Sequence, residues 1–222
     1  MKGRRALITG ASRGIGLATA EAFRARGAMV IAPSHSELDL ASDVSIDKYL
    51  AGLSGGVDIL VNNAGINPLG SAEEFTDPDL EAVLQVNLKA PMRLLRGLLP
   101  AMRERGYGRI VNVSSVWSFV SKPRRFAYSS VKAGINGMTR AAAVECAKAG
   151  ILVNSVAPGY VNTELTRKNN SPAELAAISA AIPAGRLAEP SEIAAVIAFL
   201  ASEQNAYITG QTIAVDGGYT CL

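Results

Sequence analysis

The sequence predicts a doubly wound α/β domain, one parallel sheet with helices on both faces in three layers. Three observations carry that expectation. Short, near-continuous runs of Val, Ile and Leu recur along the chain, as expected of strands buried on both faces. Between them lie longer, Ala-rich stretches with apolar residues three and four apart, the period of crossover helices packed on a sheet. A chain of 222 residues that is 49% hydrophobic and 18% charged can bury one sizeable core and is not a disordered polymer. No Pro/Ser-rich linker or internal repeat divides it, so residues 1–222 are expected to form a single domain.

The elements follow in order. Strands are predicted at residues 6–9, 28–32, 59–62, 109–114, 152–156 and 212–215, and helices at 15–26, 79–105, 127–149 and 192–202. After the second strand, residues 33–39 leave little room for a full crossover helix. A turn or a stub is expected there, leading to a further strand around residues 37–40, after which Ser42-Asp43 caps the next helix.

Composition also excludes chemistries. Lys and Arg number 22 against 19 Asp and Glu, a formal +3 too small and dispersed to argue for nucleic acid. The single histidine, His35, rules out multi-histidine metal cages and the HExxH zinc site. Cys146 and Cys221 have no CxxC spacing and read as thiols of a reducing compartment. The apolar run after Met1-Lys2-Gly3-Arg4-Arg5 is too short for a signal peptide or a spanning helix. A cytoplasmic protein with no membrane or nucleic-acid partner is expected.

Three motifs carry chemistry. The first strand ends in Thr9-Gly10-Ala11-Ser12-Arg13-Gly14-Ile15-Gly16 and runs directly into a helical pattern. Glycines there let the backbone approach a pyrophosphate, and free N–H groups at the helix start supply positive potential; a purely structural turn is the alternative. Tyr128-Ser129-Ser130-Val131-Lys132 puts a phenol and an ammonium on one helical face. The lysine's charge, joined by a bound oxidised nicotinamide, would lower the phenol's pKa toward a usable base, although an exposed i,i+4 pair would look the same. Ser115 stands at a strand's C-terminal end, where open α/β sheets bind ligands; it, or the neighbouring Ser114, could equally cap the turn.

Taken together, these residues resemble the short-chain dehydrogenase/reductase family over essentially the whole chain. The glycine turn resembles the family's cofactor turn, Asn62-Asn63-Ala64-Gly65 its fourth-strand motif, and Asn87, Ser115, Tyr128 and Lys132 its catalytic tetrad. Pro158-Gly159 followed by Val161 and Thr163 resembles the segment that closes over nicotinamide. The resemblance implies a Rossmann-type fold and hydride transfer between nicotinamide and a carbonyl or secondary alcohol. Tyr128 would be the acid/base, Ser115 would polarise the oxygen, and Lys132 would hold the ribose. The Asn87 side chain would bind a water linking Lys132 to solvent. The family further implies a homotetramer. The alternatives are an NAD(H)-dependent sugar or polyol dehydrogenase and a catalytically silent nucleotide-binding protein.

Cofactor choice rests on the segment after the second strand, Ile31-Ala32-Pro33-Ser34-His35-Ser36. It carries no acid at Ser34, so nothing there would repel a 2′-phosphate, and Arg13 could pair with one. NADP(H) is therefore expected over NAD(H), with Ser34 adding hydrogen bonds. Asp39-Leu40 resembles the family's adenine-side pair, with Asp43-Val44 as the competing assignment. For the substrate, Trp117 and Phe119 could line an apolar pocket, and Lys122, Arg124 and Arg125 could recruit an anion; solvated charges and packing aromatics are the plainer reading. A lid is expected over residues 162–183.

Overall fold

The computed structural model describes residues 1–221. Strand β1 (Arg5–Ile8) runs into α1 (Gly14–Ala25), and β2 (Met29–Ile31) is joined to β3 (Ile59–Asn62) by α2 (Asp43–Gly52). A helical stretch follows, α3 (Asp77–Leu84), a π-helical turn over Gln85–Lys89 and α4 (Ala90–Arg105), and leads to β4 (Gly108–Val113). Helix α5 (Phe126–Cys146) leads to β5 (Ile151–Pro158), and α6 (Glu164–Lys168), α7 (Pro172–Ala181) and α8 (Pro190–Leu200) precede β6 (Thr212–Val215). The described strands form one six-stranded sheet in the order β2-β1-β3-β4-β5-β6, and all its pairings are parallel.

Strand alternation sorts the core onto two faces. Ala6 and Ile8 of β1 join Val61, Val111, Phe23, Ile193 and Ile197 on the α1 and α8 side. Leu7 joins Leu60, Ile110, Val153, Leu94 and Met102 on the side of α2, α4 and α5. The winding reverses at β1, which pairs with β2 on one edge and β3 on the other. Ligands of open α/β sheets lie beyond the strand ends at such a reversal.

Two expectations change. Residues 37–40 do not form a strand. Glu37 N–H and Leu38 N–H both bond back to Ser34 O, the Glu37 carboxylate accepts from Ser34 N–H and Oγ at 2.7 Å each, and Ser42 already caps α2 by accepting from Ser45 N–H. Between turn and cap too few residues remain for a strand, so β2 is the sheet edge and the chain crosses straight to β3. The single helix expected over 79–105 is two helices separated by the π turn, a feature frequent at functional sites.

A chain of buried polar side chains ties the sheet to α5. Asn62 Nδ2 donates to Asn112 Oδ1 at 2.8 Å, and Asn112 Nδ2 donates to Thr139 Oγ1 at 2.9 Å. Thr139 Oγ1 in turn donates to Ile135 O and lies 2.7 Å from Ser155 Oγ. With its one proton on Ile135 O, the threonine oxygen accepts from both Asn112 and Ser155. Thr139→Val preserves the shape and orphans both donors, and it is expected to destabilise the protein by about 3 kcal/mol. Thermal denaturation should show this as a midpoint lowered by roughly 6–12 °C.

Candidate active site

A cavity of about 350 Å³ opens at the C-terminal ends of β1, β3, β4 and β5. Gly10, Ser12, Arg13, Gly14 and Ile15 line one end. Asn63, Ala64 and Gly65 follow along its length, and Ser115, Tyr128 and Lys132 stand at the other end. Pro158, Gly159 and Val161 also line the cavity, and Thr163 reaches back to the glycine turn, where a Cβ on Gly14 would lie 3.3 Å from its Cγ2. The loops are stitched together by Thr9, whose Oγ1 accepts from the N–H groups of Asn63 and Ala64 at 3.0 and 3.1 Å. Asn63 Nδ2 returns the contact by donating to Thr9 O and Gly10 O. Glycine is required where the loops touch: a Cβ on Gly10, whose φ is +66°, would stand 2.9 Å from Ala64 Cα, and one on Gly16 would stand 2.2 Å from Gly10 O. Gly16 thus packs beneath the turn rather than lining the cavity. The turn fits an approaching pyrophosphate, because its backbone is bare and α1 begins at Gly14 with no side-chain cap on its first N–H groups.

Tyr128 and Lys132 project from the first turns of α5, and Ser115 caps the 3₁₀ turn after β4 by accepting from Trp117 N–H. Ser114 bonds instead to Lys132 O. Lys132 Nζ donates to Val113 O at 2.7 Å and lies 5.4 Å from the Tyr128 ring centroid. Desolvation lowers the Lys132 pKa to about 8. The same effect raises Tyr128 to about 12, opposed first by the charge of Arg125 and then by the Ser115 hydroxyl. Within the chain the phenol is therefore raised rather than lowered, and the charge of Arg125 is the largest influence drawing it back down.

Asn87 sits in the π turn, behind the cavity lining. Its Oδ1 accepts from Ile66 N–H at 3.2 Å, and its Nδ2 donates to Ile66 O and Val83 O at 3.0 Å each. These bonds tie the side chain to the β3–α3 loop and to α3 itself. It also explains Gly65, where a Cβ would lie 2.6 Å from Asn87 Oδ1.

The residues expected around the adenosine depart most. Leu40 is core, packed with Leu7, Leu60 and Leu94. Asp39 accepts from Ala41 N–H and pairs with His35 at 3.4 Å, and Asp43 is held by Gln85 and Arg93. Ser34 is exposed and outside the cavity lining. A carboxylate does stand beside Ser34, that of Glu37, which folds back onto it. Arg13 Nη1 pairs with Glu164 Oε2 of α6 at 2.8 Å, and the segment 162–183 folds into the two short helices α6 and α7. On the substrate side Trp117 and Arg125 line the cavity, whereas Phe119 is 51% exposed. Tyr160 and Tyr219, edge-on to Trp117 at 5.9 and 6.0 Å, were not anticipated, because only the folded chain brings β5 and the C-terminal turn together.

Comparison with known proteins agrees with this geometry. A family model described as enoyl-(acyl carrier protein) reductase matches residues 36–220. The 3-oxoacyl-(acyl-carrier-protein) reductase of Vibrio cholerae is 39% identical over 98% of each chain. This chain belongs to the short-chain dehydrogenase/reductase family. As a member of that family the protein is an NAD(P)-dependent oxidoreductase acting on CH–OH groups, on a Rossmann-type sheet. A solved chain described as an NAD(P)-dependent gluconate 5-dehydrogenase from Beutenbergia cavernae, with bound NADP, superposes with a TM-score of 0.95 at 37% identity, covering 100% of this chain and 98% of that one. A gluconate 5-dehydrogenase from Burkholderia cenocepacia, in complex with NADP and tartrate, superposes at 0.87 and 32% identity, covering 100% and 97%.

The two shifted groups set a pH dependence. Lys132 is a cation below about pH 8 and neutral above it, while Tyr128 keeps its proton to about 12. A reductase activity that uses the Lys132 cation is then flat at low pH and falls about tenfold per unit above that point. A pH profile of kcat/KM for carbonyl reduction should show this limb, and Lys132→Arg, charged throughout, should remove it.

Proposed function

We propose that the protein is an NADP(H)-dependent oxidoreductase that moves a hydride between nicotinamide and a carbonyl or secondary alcohol carbon, with Tyr128 as the acid/base. The observation that carries this reading is the meeting of Ser115, Tyr128 and Lys132 at one end of a cavity whose other end is a bare glycine turn. Gly10, Ser12, Arg13, Gly14, Ile15, Asn63, Ala64 and Gly65 would hold the dinucleotide, with Pro158, Gly159, Val161 and Thr163 closing over it. When bound, the nicotinamide supplies or accepts the hydride. In reduction Tyr128 donates its proton to the substrate oxygen, which suits a phenol held neutral by burial. Ser115 hydrogen-bonds the same oxygen and stabilises its developing charge. Lys132 holds the nicotinamide ribose, and Asn87 acts through Ile66 as a positioning residue.

NADP(H) is favoured by Arg13, the one cation of the glycine turn, and by the NADP found in both solved relatives. Glu37 supports a second reading, an NAD(H)-dependent enzyme, because a carboxylate on Ser34 would repel a 2′-phosphate and accept from a ribose hydroxyl. The intact side-chain set in the cavity argues against a silent nucleotide-binding protein. Two unpaired thiols fit a reducing, cytoplasmic setting. No helix among the described residues is long and apolar enough to cross a membrane. The exposed Met92 of α4 and Val144 of α5 support a homotetramer assembled through those helices.

Tyr128→Phe should lower kcat by roughly 10²–10⁴-fold while leaving the NADPH affinity, read by nicotinamide fluorescence, within about threefold of wild type. Turnover at the wild-type rate would remove Tyr128 from the mechanism. The Michaelis constant should be lower for NADPH than for NADH, and Glu37→Gln should widen that preference by several-fold; the reverse order would favour the NAD(H) reading. Light scattering at micromolar concentration should give a tetrameric mass.

A further inference from the structure

Arg125 is the least expected residue of the cavity. It is 5% exposed, and it lines the end that holds Tyr128, Ser115 and Trp117. Among the described residues no carboxylate pairs with it. Of the five N–H donors of a guanidinium, only Nη1 has a protein acceptor, Asn67 Oδ1 at 3.1 Å, and Nε is enclosed with no partner. Its guanidinium lies 5.7 Å from the Trp117 ring centroid. A second cation, Lys122, shares this aromatic wall and donates to Tyr160 Oη at 2.9 Å. The nearby acid, Glu174, is turned away to cap α7 through Ser171. Burying a cation without an anion is costly, and the chain does so beside the group that handles the substrate's proton. The preceding Arg124 adopts φ +65°, the sole positive value outside glycine among the described residues.

We infer that Arg125 binds a carboxylate of the substrate, so that the natural substrate is a small hydroxy or keto acid whose reacting carbon lies on Tyr128. This rests on the oxidoreductase reading above and narrows it. Arg125 is the N-cap of α5 and Tyr128 its third residue, so a short gap separates the two side chains where both line the cavity. A carboxylate a few bonds from a carbonyl or carbinol carbon spans that gap. A guanidinium fork matches a planar carboxylate in two parallel hydrogen bonds. An acyl thioester presents no anion at its reacting end and would leave Arg125 uncompensated. The cofactor's phosphates belong to the opposite end, at Arg13 and the start of α1.

The test uses the full-length enzyme with NADP⁺ and a panel of three- to six-carbon hydroxy acids, gluconate and tartrate among them, each paired with its neutral amide and followed at the nicotinamide absorbance. At least one acid is expected to exceed its amide in kcat/KM by about tenfold or more, and Arg125→Gln should bring that ratio near one. Arg125→Lys, which keeps the charge and loses the fork, should fall between. Because the comparison is a ratio within one protein, a change in Tyr128's pKa or in folding cancels. The single tryptophan, Trp117, should report gluconate in the presence of NADP⁺ and fail to do so in Arg125→Gln. The inference is overturned if neutral alcohols turn over in a Tyr128-dependent way with no acid preferred, or if Arg125→Gln lowers acid and amide alike. It is also overturned if glucose 6-phosphate quenches Trp117 as gluconate does, since the site would then be a general anion site. Absence of Tyr128-dependent turnover across acids and neutral alcohols alike would instead overturn the oxidoreductase reading itself.

Discussion

The geometry of the cavity depends on one constraint, the buried hydrogen-bond chain from Asn62 through Asn112 and Thr139 to Ser155. It links three adjacent strands, β3, β4 and β5, to the middle of α5. Tyr128 and Lys132 stand two to three turns nearer the start of that helix, so the position of the helix over the sheet fixes where phenol and ammonium meet Ser115 at the end of β4. Apolar packing alone would allow such a helix to slide by a turn, whereas a threonine whose oxygen must satisfy three partners allows one register.

The same burial that positions these groups sets their protonation. Removing Lys132 from water lowers its pKa to about 8, and removing Tyr128 raises its own to about 12. Both shifts follow from burial, and the charge of Arg125 opposes the one on Tyr128. The glycine turn, by contrast, works through shape: its bare backbone lets Thr9 and Asn63 draw two loops into contact at distances that side chains would prevent.

Much of this was legible in the chain itself. Buried strands announce themselves as runs of Val, Ile and Leu, and the observed strands fall within two residues of the expected positions. Tyr128, Lys132 and Ser115 were legible because a helical period and a strand end place them without knowledge of the rest. The failures share a cause. A strand at 37–40 was inferred from local composition, but the Glu37 carboxylate closes a turn on Ser34 and leaves no length for it. Leu40 stands beside Asp39 in the chain, and only the packed molecule shows its side chain filling the core. For Asn87 no local pattern shows that the π turn brings its side chain to the backbone of Ile66.

By itself the sequence determined the layering, the parallel sheet and the identity of the groups at its carboxyl edge, because periodicity and glycine spacing act over a few residues. Only the tertiary structure decided what those groups experience. Whether Tyr128 is acidic or basic, whether Ser34 faces a carboxylate, and whether Arg125 is solvated or buried without an anion all depend on charges and dielectric contributed by residues distant in the chain. Pairwise fields and desolvation are properties of the packed molecule, and no local pattern encodes them.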